Sequence, residues 1–362
     1  MPDNIEVNKD KIETDFRGGC DFGIHVTSDY KWTATSSDES VVKAYTYKDE
    51  LLLFVMPSVS SSSTSATVTL SYVEFPAIKK TISVTRGAAP SYIVPGIFTV
   101  GDLTSVYTDQ GTKFRYKYVY FSKGNLQYQA STKTWRFAES QLDWVGFQSY
   151  NSNWIILGVT GTVVLYDTNN AKNLTSDNRL ISPTYEGWID LFGWGTGDNP
   201  TNTSEESTDY STFTDWGVNP ISNGGNTANM WRTLTKDEWY YLRNKRQSGG
   251  RAPYSYSIDW SNVPYYLIYP DGTTLSAGTV PNITMDKWNE LERNGTLALP
   301  YVFQRQSDKE PLVEAAGGSL YYWTATSSDD EYAYGFTGSD IHLKEYGFAV
   351  RLVMDAMPSY GK

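Results

Sequence analysis

Nucleophiles and soft metal ligands are scarce in this chain. It carries one cysteine, Cys20, and two histidines, His25 and His342. A Ser–His–Asp relay would have to use one of those histidines, and neither lies near the strand–turn–helix signature that exposes a nucleophilic serine. His25 alternates with Ile24 and Val26 in F-G-I-H-V-T, which places it on the surface side of a strand. His342, in S-D-I-H-L-K, reads as a loop or strand side chain rather than a ligand. Cys20, in G-G-C-D, is either a buried small apolar residue or an exposed thiol. Two glycine-rich stretches, Gly195 to Asn199 and Asn223 to Asn226, lack the Lys-Ser/Thr and the strand–helix context of a phosphate loop, so they read as turns.

Carboxylates are plentiful. Asp329-Asp330-Glu331 lies between two strand candidates and is read as a solvated turn. The alternatives are an oxygen-rich calcium cluster and the polar rim of a ligand face. A glycosidase would need two acids facing each other across a cleft, and no such motif accompanies these acids. No cofactor or metal is expected. The remaining candidate is a binding face made of Trp323, Ser327, Asp329, Asp330, Tyr332, Tyr334, Asp340, His342 and Tyr346. Alternation in E-Y-A-Y-G-F puts Tyr332, Tyr334 and Phe336 on one side of a strand. If that side packs on the core, the tyrosines are structural and only the loop residues remain for binding.

The elements that must position these residues follow from pattern. The chain of 362 residues, with net charge −11, is long enough for two domains. It has no basic run of the kind that phosphate contacts require, which argues against nucleic acid as a partner. No apolar run approaches the roughly 18 residues of a membrane-spanning helix. The start, M-P-D-N, shows no signal peptide and fits a mature form from which a targeting segment has been cut. Residues 5 to 86 alternate in short β-like runs with serine-rich or charged turns, which predicts an all-β sandwich with Trp32 in its core. Gly87-Ala-Ala-Pro90 opens a linker. The expected organisation is a β-sandwich over 1–88, a linker over 89–96 and a second domain over 97–362.

Every tryptophan except Trp32 falls after residue 90. Indoles are large apolar anchors with one polar handle, suited to pinning irregular backbone, and core use is the commoner role. Two helices are predicted there. T-K-D-E-W-Y-Y-L-R-N opens with the capping box Thr235/Glu238. T-M-D-K-W-N-E-L-E-R-N-G is capped by Thr284 and closed by Asn294-Gly295. Strands are expected at Tyr118–Phe121, Asn125–Gln129, Tyr321–Thr326, Tyr332–Phe336 and Ala349–Met354, and long ordered loop elsewhere.

Two family resemblances rest on particular residues. His25 to Ser36 (H-V-T-S-D-Y-K-W-T-A-T-S) and Lys79 to Arg86 (K-K-T-I-S-V-T-R) resemble a BACON domain of Bacteroidetes proteins, which implies an Ig-like sandwich acting as a spacer or docking module. The second segment resembles the formylglycine-generating-enzyme form of the C-type lectin fold, an α+β fold with much ordered loop, found in Bacteroidetes surface proteins. The carriers are V-Y-F-S-K-G-N-L-Q-Y, W-R-F-A-E-S-Q, D-L-F-G-W-G-T, D-W-G, W-R-T-L-T-K-D-E-W, Y-Y-W-T-A-T and G-F-A-V-R-L-V. Formylglycine generation in the resembling enzymes needs copper-binding thiols, and this segment has no cysteine. The calcium signatures of sugar-binding lectins are missing too. The resemblance therefore implies a non-enzymatic surface protein whose lectin-like head holds a glycan or protein ligand on a host or neighbouring cell. The alternatives are a structural or pilus-tip assembly subunit, and a carboxylate-dependent glycan-processing enzyme.

Overall fold

The computed structural model describes residues 3–102, 105–143, 146–150, 153–157, 159–160, 164–166, 188–246, 250–258, 264–302, 304–305 and 319–360. The fold is rich in β-strand, with two α-helices among the described residues. The chain forms two compact units. One comprises Met1–Ser91, Ile97–Val119 and Asp355–Lys362, and the other Tyr92–Gly96 and Tyr120–Met354. The stretch 97–119 and the C-terminal tail thus group with the N-terminal strands, whereas the sequence pattern assigns both to the second domain.

In the first unit, eight strands form two sheets around one core. The strands are β1 (Glu6–Val7), β2 (Lys11–Thr14), β3 (Ile24–Thr27), β4 (Trp32–Ser36), β5 (Val42–Tyr47), β6 (Glu50–Val55), β7 (Thr64–Tyr72) and β8 (Lys79–Arg86). Their orders are β1-β3-β6-β5 and β2-β8-β7-β4. Strict alternation explains the arrangement: Ala66, Val68, Leu70 and Tyr72 of β7 point inward, and Ser65 and Thr67 between them point out. Trp32 joins Ile24, Val42, Leu53 and Val84 in the shared core, as expected.

A second hairpin, β10 (Ser105–Thr108) and β11 (Gly111–Phe114), follows β9 (Phe98–Gly101). Its tip is clamped to β5. Asp109 N–H donates to Thr46 O at 2.7 Å, the Thr46 hydroxyl donates to Asp109 Oδ2 at 3.0 Å, and Gln110 brackets the same threonine. The tail is held as firmly. Cys20 N–H donates to Pro358 O, Tyr360 N–H donates to Cys20 O, and the Tyr360 ring stacks on Phe22 at 5.1 Å. Cys20 is fully buried, which resolves its reading in favour of a core residue.

In the second unit both predicted helices form. Helix α1 (Lys236–Asn244) starts at a complete capping box, with Thr235 Oγ1 accepting from Glu238 N–H and the Glu238 carboxylate accepting from Thr235 N–H. Helix α2 (Met285–Arg293) is capped by Thr284, and Gly295 past its end takes φ +84°, the left-handed backbone that glycine permits. The segments Gly250–Ile258, Pro264–Tyr269 and Leu297–Pro300, expected to be loop, are strands of one sheet. Tyr265 to Tyr269 are all buried, so the strand shows no two-residue alternation.

The ordered loops are held from within by a buried cation. Arg351 is 1% exposed. Its guanidinium donates to Asn125 Oδ1 at 3.2 Å, Gln141 Oε1 at 3.1 Å and Lys123 O at 3.3 Å. Gln141 passes the connection on, accepting from Ala298 N–H and donating to Thr296 O. Tyr322 closes the circle, accepting from Asn125 Nδ2 and donating to Pro300 O. Four of the sequence phrases, from two regions some two hundred residues apart, therefore meet at one buried group. Burial lowers the Arg351 pKa to about 10.

Tryptophans supply the other ties. Trp194, Trp231 and Trp323 are buried, and each indole N–H donates to a backbone carbonyl: Thr324 O, Gly224 O and Phe192 O, at 2.9, 2.7 and 2.7 Å. This is the anchoring role their frequency suggested.

Candidate functional site

The sequence-derived residues gather on and around a three-stranded antiparallel sheet of the second unit, Trp323–Ser327, Tyr332–Gly335 and Ile341–Leu343. The register pairs Tyr332 with Leu343, Ala333 with His342 and Tyr334 with Ile341. Residues directly opposite share a face. One face therefore carries Tyr332, Tyr334, Ile341 and Leu343, and the other carries Ala333, Gly335 and His342. Ala333 and Gly335 are buried, while Tyr332 and Tyr334 are half-buried and Ile341 is 48% exposed. The tyrosines thus look outward. Phe336 departs from the expected alternation: the strand ends at Gly335, and the turn that follows carries the Phe336 ring into the core against Trp239.

Trp323 does not belong to this outward face. It is 1% exposed, and its ring stacks on Phe348 at 4.2 Å, which leaves no open face for a ligand. His342 sits on the inner side, edge-on to Phe348 and bonded through Nε2 to Asp340 Oδ2 at 3.0 Å. Gly335 makes room for this pair, since a Cβ there would meet Asp340 Oδ2 at 2.7 Å. Asp340 and His342 therefore brace the sheet from below.

The acidic turn is solvated and largely self-satisfied. Asp329 Oδ1 accepts from the N–H groups of Glu331 and Tyr332, and the Ser327 hydroxyl donates to Asp329 O. Lys344, buried and lying over the Trp194 ring, donates through Nζ to Asp329 O and Asp330 O. Desolvation pulls the Lys344 pKa down, against the pull of the two aspartates. An ammonium thus takes carbonyls that a calcium ion at this turn would need. Among the described residues, no group of three His, Cys, Asp or Glu is placed to hold a metal.

Asp330, Tyr332, Tyr334 and the half-buried Tyr346 remain at the surface. Lys236, the first residue of α1, places Nζ 3.8 Å from the Tyr334 ring centroid. The Tyr334 hydroxyl pKa is lowered by a hydrogen bond from Ser328 and by Lys236. Sequence reasoning missed Lys236, Ile341 and Leu343. The signal for the last two was the alternation in I-H-L.

A concavity elsewhere in the same unit was not foreseen. It is a groove of about 480 Å³ whose lining includes Tyr128, Trp135, Asp198, Asn219, Ser222 and Asn226. Tyr128 and Trp135 are cross-strand partners of the hairpin Leu126–Gln129 and Thr134–Phe137, with ring centroids 4.6 Å apart.

No family model matches the chain, and no curated protein matches it.

Proposed function

We propose that the protein is a non-enzymatic binding protein of the cell surface, in which an Ig-like, BACON-like sandwich presents a C-type-lectin-like head. The observation that carries the reading is the outward face of the C-terminal sheet. Tyr332 and Tyr334 stand side by side there with Ile341, Leu343 and Lys236, rings partly open, above a rigid inner layer of Trp323, Phe348 and His342. Aromatic rings combine large contact area with a polar tip at small entropic cost, and a pre-braced sheet spends little ordering energy when a ligand docks. The ligand is a glycan or a protein on a host or neighbouring cell. The Asp329 carboxylate and the Ser327 hydroxyl are engaged in holding the turn, which favours a structural role for them over proton transfer.

A glycan array and a surface-protein binding screen with the full chain test the reading. Retention of a defined ligand, weakened about tenfold or more by Tyr332→Ala and Tyr334→Ala, supports it, since central aromatics dominate such faces. Silence in both screens, or turnover of a polysaccharide, contradicts it.

A further inference from the structure

The groove beside Tyr128 is on different elements from the C-terminal sheet face, and its walls come from the two glycine-rich turns that are not phosphate loops. Asp198, with Gly197 before it, comes from Gly195–Asn199, and Asn226 comes from Asn223–Asn226. Both turns are tightly fixed. Thr196 bridges to Thr214, Gly197 N–H donates to Thr214 O, and a Cβ on Gly197 would meet Asp215 O at 2.4 Å. On the other side Asn223 pairs with Phe137 through both amide atoms, accepting from its N–H at 2.7 Å and donating to its C=O at 2.8 Å. Ser222 is bound to Trp135 O by backbone and side chain. The groove is therefore built before any ligand arrives, which lowers the cost of binding.

Its chemistry is specific in kind. Tyr128 and Trp135 line it through the small part of each ring left accessible, 9% and 6% of the residue. Around them stand carboxamides and hydroxyls. Asn219 spends its Nδ2 on Gly197 O and Trp216 O, which leaves Oδ1 as an acceptor. Ser222 spends its proton on Trp135 O, which leaves its oxygen as an acceptor. Asp198 adds a carboxylate and Asn226 an amide, both exposed. A surface dominated by acceptors suits a ligand rich in hydroxyl donors. One basic side chain, Lys133, also lines the groove, too little positive charge to select a phosphate, sulfate or carboxylate. The volume falls within the range of small-ligand sites. We propose that this groove binds the uncharged sugar rings of a glycan. Ring C–H groups would touch the accessible strip of the Tyr128–Trp135 pair, and hydroxyls would bond to Asp198, Asn219 Oδ1, Ser222 and the Asn226 amide.

Calorimetric titration of the full chain with uncharged gluco-, galacto- and manno-oligosaccharides tests this. Asp198→Ala and Asn226→Gly are suitable variants. Both side chains are exposed, and glycine accepts the φ of +49° that Asn226 adopts. Each variant should weaken binding by about tenfold, the loss of one ligand hydrogen bond to a charged or polar group, with the thermal melt unchanged. Tyr332→Ala should leave that affinity intact. Three results would overturn the assignment: no uncharged oligosaccharide binds, both groove variants bind as tightly as the wild-type chain, or only sialylated or sulfated sugars bind. Equal binding in the groove variants combined with loss in Tyr332→Ala would leave the sheet-face function standing alone.

Discussion

Single residues carry much of this molecule's order. Arg351 satisfies three buried acceptors from two segments, so its loss strands Asn125 Oδ1 and Lys123 O and leaves Gln141 Oε1 with Ala298 N–H alone. Arg351→Met should destabilise the second unit by about 3 kcal/mol or more, since orphaned buried acceptors each cost about 1–3 kcal/mol. Urea denaturation followed by tryptophan fluorescence measures this. Cys20 gives a pH signature in the first unit. Burial raises its pKa from 9.0 to about 12, partly opposed by Arg115. The folded state keeps a proton that the unfolded chain releases above pH 9. The thiol's contribution is therefore complete below about pH 9 and is lost as pH climbs through about 12. The slope from this group is at most about 1.4 kcal/mol per pH unit. Cys20→Ala should flatten the decline relative to the wild-type chain, and the native thiol should resist alkylation at pH 8. Equal slopes in both proteins would refute the assignment.

At the scale of elements, the caps and close approaches decide. Thr235→Ala removes half of a capping box and should cost about 1 kcal/mol. Gly217→Ala should cost distinctly more, because a Cβ there would sit 1.9 Å from Trp231 O, in backbone that cannot retreat. Thermal denaturation of the two variants side by side would rank them, and the reverse order would contradict the packing described. Both α-helices and their caps were legible in the sequence because capping is local: Thr235 and Glu238 find each other three residues apart. N-terminal strands such as β3, β7 and β8 were legible because one face is wet, so polar and apolar residues alternate. Pro264–Tyr269 was not legible because both faces are buried and the alternation vanishes. Of the site, the outward orientation of Tyr332 and Tyr334 hinged on which side of their strand met the core, a question that Ala333 and Gly335 answer only in three dimensions. Trp323 was misplaced on the binding face because an indole's residue type does not distinguish a platform from a plug. The groove was invisible because its two turns lie far from the Tyr128–Trp135 hairpin in sequence.

Across each whole unit, composition of the domain differs from contiguity of the chain. The tail from Asp355 onward belongs to the first unit, where Tyr360 covers Phe22 and Pro358 accepts from Cys20 N–H. A chain ending at Ala356 should lose thermal stability in the first unit and expose Cys20 to alkylation at neutral pH. Unchanged protection would show that the tail is dispensable. The second unit ties its loops with buried indoles and the Arg351 guanidinium. The most direct measurement is the affinity of the intact protein for a ligand captured on glycan and surface-protein arrays, compared with Tyr332→Ala/Tyr334→Ala. Reproducible capture by the wild-type chain, reduced about tenfold or more in the double variant with its melt preserved, is the expected result. Undiminished capture by the double variant, or no capture by either protein, would contradict the account.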